Sequence, residues 1–141
     1  MKKYFIFLIN QQIAMYYKNK PSVLYKTLDE IYHGDESDLS FAIRKFKSIS
    51  GKLNTSGINE YIYNSYKNFS HYSKENEIHI IKKDEAVDKL EVKNIYISLE
   101  TTGDFEFVDV LNEYNERFFI VNFDDGKYCW LKDYLNLKGG N

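Results

Sequence analysis

Phe118-Phe119-Ile120-Val121-Asn122-Phe123-Asp124-Asp125-Gly126-Lys127-Tyr128-Cys129-Trp130-Leu131 reads as two strands folded back around a tight turn. Asp125-Gly126 is a favoured two-residue centre for a type I′ hairpin, whose central residues both need positive φ. That turn sets Asp124 against Lys127, opposite charges facing each other across the strands. Phe119, Val121, Phe123, Tyr128 and Trp130 then share one face. A slip of one residue would turn all five side chains outward, so the register is well specified.

A second strand is legible at the other end of the chain. Residues 3–9 (Lys-Tyr-Phe-Ile-Phe-Leu-Ile) are unbroken, aromatic-rich and β-branched, the pattern of a strand buried on both faces. It belongs near the centre of a sheet covered by helices. Met1-Lys2-Lys3 ahead of it resembles the start of a secretory signal. Yet the apolar run is six residues, ended by Asn10-Gln11-Gln12, with no small-x-small site after it; a signal core needs ~7–15. A strand in a cytoplasmic protein is the expected reading, and the sequons at Asn54 and Asn68 then carry no meaning.

Helical periods follow. Residues 11–19 read as a short helix with Ile13 and Tyr17 on one face and Ala14 beside them. Pro21 suits the first turn of a second helix, in which Val23, Leu24, Leu28, Ile31 and Tyr32 keep the period and Gly34 supplies a stop. A third helix is expected to begin near Asp35-Glu36-Ser37. It carries Leu39, Ala42, Ile43, Phe46 and Ile49 on one face and Arg44, Lys45 and Lys47 on the other, with Gly51 past its end. Residues 52–77 are rich in Asn, Ser and Tyr and fit a poor helix, a ragged strand or an ordered loop.

Strands are expected at Ile78–Lys82 and Leu90–Leu99, joined through Lys83–Lys89. A helix carrying Phe105, Val108, Leu111 and Tyr114 is expected after Gly103-Asp104. The sum is an α+β fold in a single domain: a mainly antiparallel, aromatic-rich sheet with helices packed on it and a C-terminal β-hairpin. Three helices come early and one late.

The chain has 141 residues, enough for one domain. Thirteen Tyr and ten Phe bring the aromatic fraction to 17%. Such rings fill a core and also make good contact residues, because they bring area at little rotamer cost. The net charge is −2, with lysines and acids interspersed, so direct nucleic-acid binding is disfavoured. No apolar segment is long enough to span a membrane. Cys129, the lone cysteine, reads as a buried hydrophobe beside Trp130.

Catalytic signatures do not emerge. The scattered glycines make neither a phosphate loop nor a dinucleotide fingerprint, and no Gly-x-Ser-x-Gly is present. His33, His71 and His79 lack metal-ligand spacing, so no metal and no cofactor is expected. His33 suits a helix C-terminus. Asp29-Glu30 and Asp124-Asp125 read as solvated charges, the second pair explained by the turn.

The aromatic surface remains. Apolar side chains occupy nearly the whole circumference of the first helix from Ile13 to Tyr17, while a helix this short can bury one face. An exposed aromatic and aliphatic patch on a helix is a recurring docking surface.

Tyr4-x-Phe-x-Phe7-Leu-Ile, Ala14-x-x-Tyr17, Ser22-Val23 and Tyr32-His33 stand at one end of the chain. Gly103-Asp104-Phe105 and Asn122-Phe123-x-x-x-Lys127-Tyr128-x-Trp130-Leu131 stand at the other. In order and spacing these resemble the sporulation inhibitor of replication family, SirA, over the first and last thirds. The middle, roughly 50 to 90, is shorter than the family pattern and matches poorly. The resemblance implies one such domain over 1–136, with 137–141 a disordered tail.

It further implies a non-catalytic inhibitor of replication initiation that binds the N-terminal domain of the initiator DnaA. The implied contacts are Ile13, Ala14, Tyr17 and Lys18 on the first helix, Lys45 on the third, and Asp133 after the last strand. Ile13 stands where the family carries a larger aromatic, and Asp133 where it carries proline. A monomer is favoured.

Two other classes compete. A small adaptor or antitoxin-like module would use the same surface for an unrelated protein. A small-molecule or acyl-transfer enzyme would need a concave pocket with convergent polar groups.

Overall fold

The structure, a computed structural model, describes residues 1–34 and 39–134, with backbone alone at 39–41. Its strands are β1 (Lys2–Leu8), β2 (Tyr72–Glu75), β3 (Ile78–Lys83), β4 (Ala86–Val92), β5 (Ile97–Thr101), β6 (Phe118–Asn122) and β7 (Lys127–Trp130). Its α-helices are α1 (Gln11–Tyr17), α2 (Pro21–Tyr32), α3 (Leu39–Ile49), α4 (Thr55–Tyr66) and α5 (Val108–Tyr114), and a 3-10 turn follows at Leu131–Asp133. The strands form one sheet in the order β2-β3-β4-β5-β1-β6-β7, and every pairing is antiparallel. The fold is α+β, aromatic-rich, with a C-terminal hairpin.

The unbroken apolar run in β1 has a direct cause, because the strand is covered on both sides. Tyr4, Ile6 and Leu8 enter a core shared with Ile58 and Ile62 of α4 and Val108 and Leu111 of α5. Phe7 and the following Ile9 enter a second core with Leu24 and Leu28 of α2, and Phe119 and Val121 of β6. Ile13, Ala14 and Tyr17 of α1 and Phe46 of α3 pack against that second core.

Several expectations need correction. The run from Leu90 to Leu99 is two strands, not one: it turns back at 93–96, where the Lys93 N–H donates to Tyr96 O at 2.9 Å. Leu90 therefore stands opposite Leu99, and Val92 opposite Ile97. In one continuous strand these even- and odd-numbered residues would point to opposite faces; the hairpin puts all four in one core. The connection before it is correspondingly short, since β3 runs to Lys83 and β4 begins at Ala86.

The C-terminal hairpin pairs Asn122, not Asp124, with Lys127. The shift is two residues, an even number, so Phe119, Val121, Phe123, Tyr128 and Trp130 keep their common face. Asn122 decides the longer loop. Its side-chain oxygen accepts from the N–H groups of Asp124 and Asp125, both at 3.0 Å, and Gly126 takes the one left-handed position at φ +67.

The helix after Gly103 starts at Val108. Phe105 lies outside it at φ +52, with its ring 5.1 Å from Tyr4 in an edge-to-face contact. In α2, only Leu24 and Leu28 are buried; Val23 and Tyr32 are 45% and 43% exposed. Ile43 of α3 is likewise exposed. Arg44, Lys45 and Lys47 are exposed as expected, whereas Asp35-Glu36-Ser37 and the tail at 137–141 lie outside the described residues.

Residues 52–77 resolve into both a helix and an edge strand. Asn54 caps α4 by accepting the Gly57 N–H at 3.0 Å, and Ile58, Ile62 and Tyr66, four apart, form its buried stripe.

Candidate functional site

Seven residues make a marginal helix on their own, so α1 depends on what holds its ends. Asn10 caps it through its side-chain oxygen, which accepts the Gln12 N–H at 2.9 Å, while the Asn10 N–H donates to Ile49 O at 2.8 Å. The Ile9 N–H donates to Arg117 O at 3.0 Å, and Arg117 Nη1 donates back to Ile9 O at 3.1 Å. Lys20 N–H closes onto Tyr17 O, and Pro21 then opens α2. These contacts tie the helix to β6 and to the end of α3.

None of the seven residues of α1 is fully buried. Ile13, Ala14 and Tyr17 are half-buried against the second core, and the outer side presents Met15 and Tyr16, 73% and 65% exposed. Tyr16 meets Tyr17 edge-to-face at 4.8 Å, and Lys20 Nζ sits 4.6 Å over its ring. An aromatic side chain held by two neighbours while open to solvent carries contact area with little left to lose in rotamer freedom.

Beside α1 runs a groove of about 250 Å³. Ala14, Met15 and Lys18 line one side of it, and Trp130 and Lys132, from the end of β7 onward, line another. The indole Nε1 of Trp130 is buried without an acceptor among the described residues.

The structure thus brings two of the expected contact residues, Ala14 and Lys18, to one groove. Ile13 and Tyr17 sit on the inward side of the same helix. Asp133 is exposed in the 3-10 turn next to Lys132 but does not line the groove, and Lys45 stands apart on α3. Sequence reasoning missed Trp130 and Lys132 as neighbours of α1. No local signal could have joined them, because the contact is made through the pairing of β1 with β6 and of β6 with β7.

The buried ionisable groups lie elsewhere. His79 is fully buried; Tyr72 OH and Asn59 Oδ1 each lie 2.8 Å from one of its ring nitrogens. Burial, and after it the nearby Lys74, pushes its pKa down to about 4, so the ring is neutral. Burial pushes the Cys129 thiol up to about 12, which makes it an unreactive core group. Both side chains are buried in the interior.

Among the described residues no helix is long and apolar enough to cross a membrane. No curated protein matches the chain. A family model described as sporulation inhibitor of replication protein SirA matches residues 2–134, the middle of the chain included, although the middle looked dissimilar in sequence. Nearly the whole fold is thereby covered, both cores and the α1 surface with them. The chain belongs to the SirA family, regulatory inhibitors of replication linked to sporulation.

Proposed function

We propose that the protein restrains initiation of chromosome replication by docking α1 on the N-terminal domain of DnaA. It acts in the cytoplasm, without catalysis and without touching DNA itself. The observation that carries this reading is the outer face of α1, where Met15 and Tyr16 are the most exposed large apolar side chains of the described residues. Such a face, rimmed by Lys18 and Lys20, fits a protein groove better than water.

The mechanism is steric. A partner surface covered by α1 is closed to the contacts that DnaA needs for assembly or for recruiting other proteins, and no covalent bond changes. Ile13 and Tyr17, half-buried against the second core, hold the helix and offer their exposed sides to the partner together with Ala14 and Lys18.

Calorimetry with the isolated N-terminal domain of DnaA tests this. Binding is expected, and Tyr17→Ala should weaken it by about 2 kcal/mol, the scale of an aromatic hot spot. Unchanged affinity in a folded Tyr17→Ala protein would refute the role of the helix.

A further inference from the structure

The groove beside α1 differs in charge from the chain that builds it. The whole protein has a net charge of −2. The groove, in contrast, is lined by three cations, Lys18, Arg117 and Lys132, against one carboxylate, Glu116. None of the four forms an ion pair among the described residues. Arg117 is fixed in place by its Nη1 bond to Ile9 O at 3.1 Å, which leaves the rest of its guanidinium available.

Trp130 forms part of the groove wall. Trp130 is 6% exposed, and its indole N–H is buried with no acceptor among the described residues. Lys18, Arg117 and Lys132 are donors carrying positive charge, so the ligand they suit is an acceptor with negative charge. Of the remaining lining, Gln11 is polar, and Ala14, Met15 and the indole ring are apolar and suit the methylene stem of a side chain.

We propose that this groove seats an acidic side chain of the protein partner, its carboxylate held between Lys18 and Lys132 beside the Trp130 indole. The proposal rests on the reading of α1 as a protein-docking surface and specifies the partner's chemistry there: a carboxylate next to an apolar patch. A nucleic-acid backbone is the poorer fit, since it needs cations along a track and here they surround a single small groove.

Trp130 is the chain's one tryptophan, so the nitrogen-15-labelled protein shows a single side-chain indole resonance. Titration with a hexaglutamate peptide at low salt is expected to move that resonance and to saturate, because a carboxylate then sits beside the ring, while hexaglutamine leaves it in place. Glu116→Gln should tighten the peptide by roughly twofold, and Lys18→Glu with Lys132→Glu should weaken it about tenfold or more, since exposed charges act through salt-screened attraction. The backbone spectrum of each variant reports whether it is folded, and Lys18→Gln with Lys132→Gln serves as a milder pair.

The N-terminal domain of DnaA should move the same resonance, with the same order of variants. An indole resonance unmoved by the peptide at millimolar concentration, or moved equally in the charge-reversed protein, overturns the groove assignment. So does movement with a duplex oligonucleotide in place of the peptide. If the peptide shifts the indole while the DnaA domain changes nothing in the spectrum, the groove stands and the named partner falls.

Discussion

His79 Nε2 lies 2.8 Å from Asn59 Oδ1, a hydrogen bond that ties the start of β3 to α4 through the core. Since the Asn59 oxygen can only accept, Nε2 carries the proton, and Nδ1 accepts from Tyr72 OH at 2.8 Å. The one fully buried histidine thus has both ring nitrogens occupied and no room for a second proton.

Acid sensitivity follows from this. The folded-state pKa of His79 is about 4, against 6.5 in the unfolded chain. Between those values the unfolded state binds a proton that the folded state does not, so stability rises with pH. His79's contribution is complete above about pH 6.5 and is lost as pH falls towards 4, by roughly 3 kcal/mol in all. His79→Gln keeps a donor towards Asn59 and cannot titrate, so urea unfolding at a series of pH values should show a flatter acid limb. Parallel limbs would disprove the assignment.

Asp88 supplies a second test. It is buried, and its carboxylate accepts from Thr101 Oγ1 and from the Glu106 N–H, which fastens the chain on either side of the left-handed Phe105. Asp88→Ala removes both acceptors and should cost about 2–3 kcal/mol by chemical denaturation. Burial raises the pKa of this group, ahead of the hydrogen bonds that lower it, so folding disfavours its charge. Asp88→Asn, which keeps an acceptor and loses the charge, should therefore cost less than the alanine. The reverse order would show that the charge itself holds the loop.

The hairpin loop has two separable supports. Asn122 is buried, and its side-chain oxygen serves two loop N–H groups, so Asn122→Ala should cost about 2 kcal/mol. A Cβ at Gly126 would meet only Tyr25 OH at an ordinary 3.7 Å, so Gly126→Ala should cost only its φ of +67, about 1 kcal/mol. Thermal unfolding of both variants checks the order.

Tyr16 and Tyr17, adjacent in sequence, are expected to part company under mutation. Tyr16 is exposed, so Tyr16→Ala should change stability by about 0.5 kcal/mol or less while weakening the proposed binding to DnaA about tenfold. Tyr17 is half-buried against the second core, so Tyr17→Ala should lower stability and affinity together. If Tyr16→Ala bound normally, the outer face of α1 would not be the contact.

Local pattern was enough to read much of this molecule. The run at residues 3–9 required a strand with two covered faces, because no half-exposed strand tolerates apolar residues in succession. Asp125-Gly126 marked the hairpin, and Pro21 marked the start of α2. The sequence also determined the shared face of Phe119, Val121, Phe123, Tyr128 and Trp130, since parity survives a register shift of two. The crowding of apolar residues around α1 was visible as well.

Tertiary structure alone decided the rest. The period of a strand cannot reveal that residues 90–99 fold back on themselves; only the core that Leu90 and Leu99 share settles it. The loop at 123–126 depends on Asn122 reaching two N–H groups, a bond that propensity does not encode. The groove is the clearest case. Lys18 stands more than a hundred residues from Trp130 and Lys132, brought to them because β6 pairs with both β1 and β7, and long-range pairing of that kind leaves no local trace.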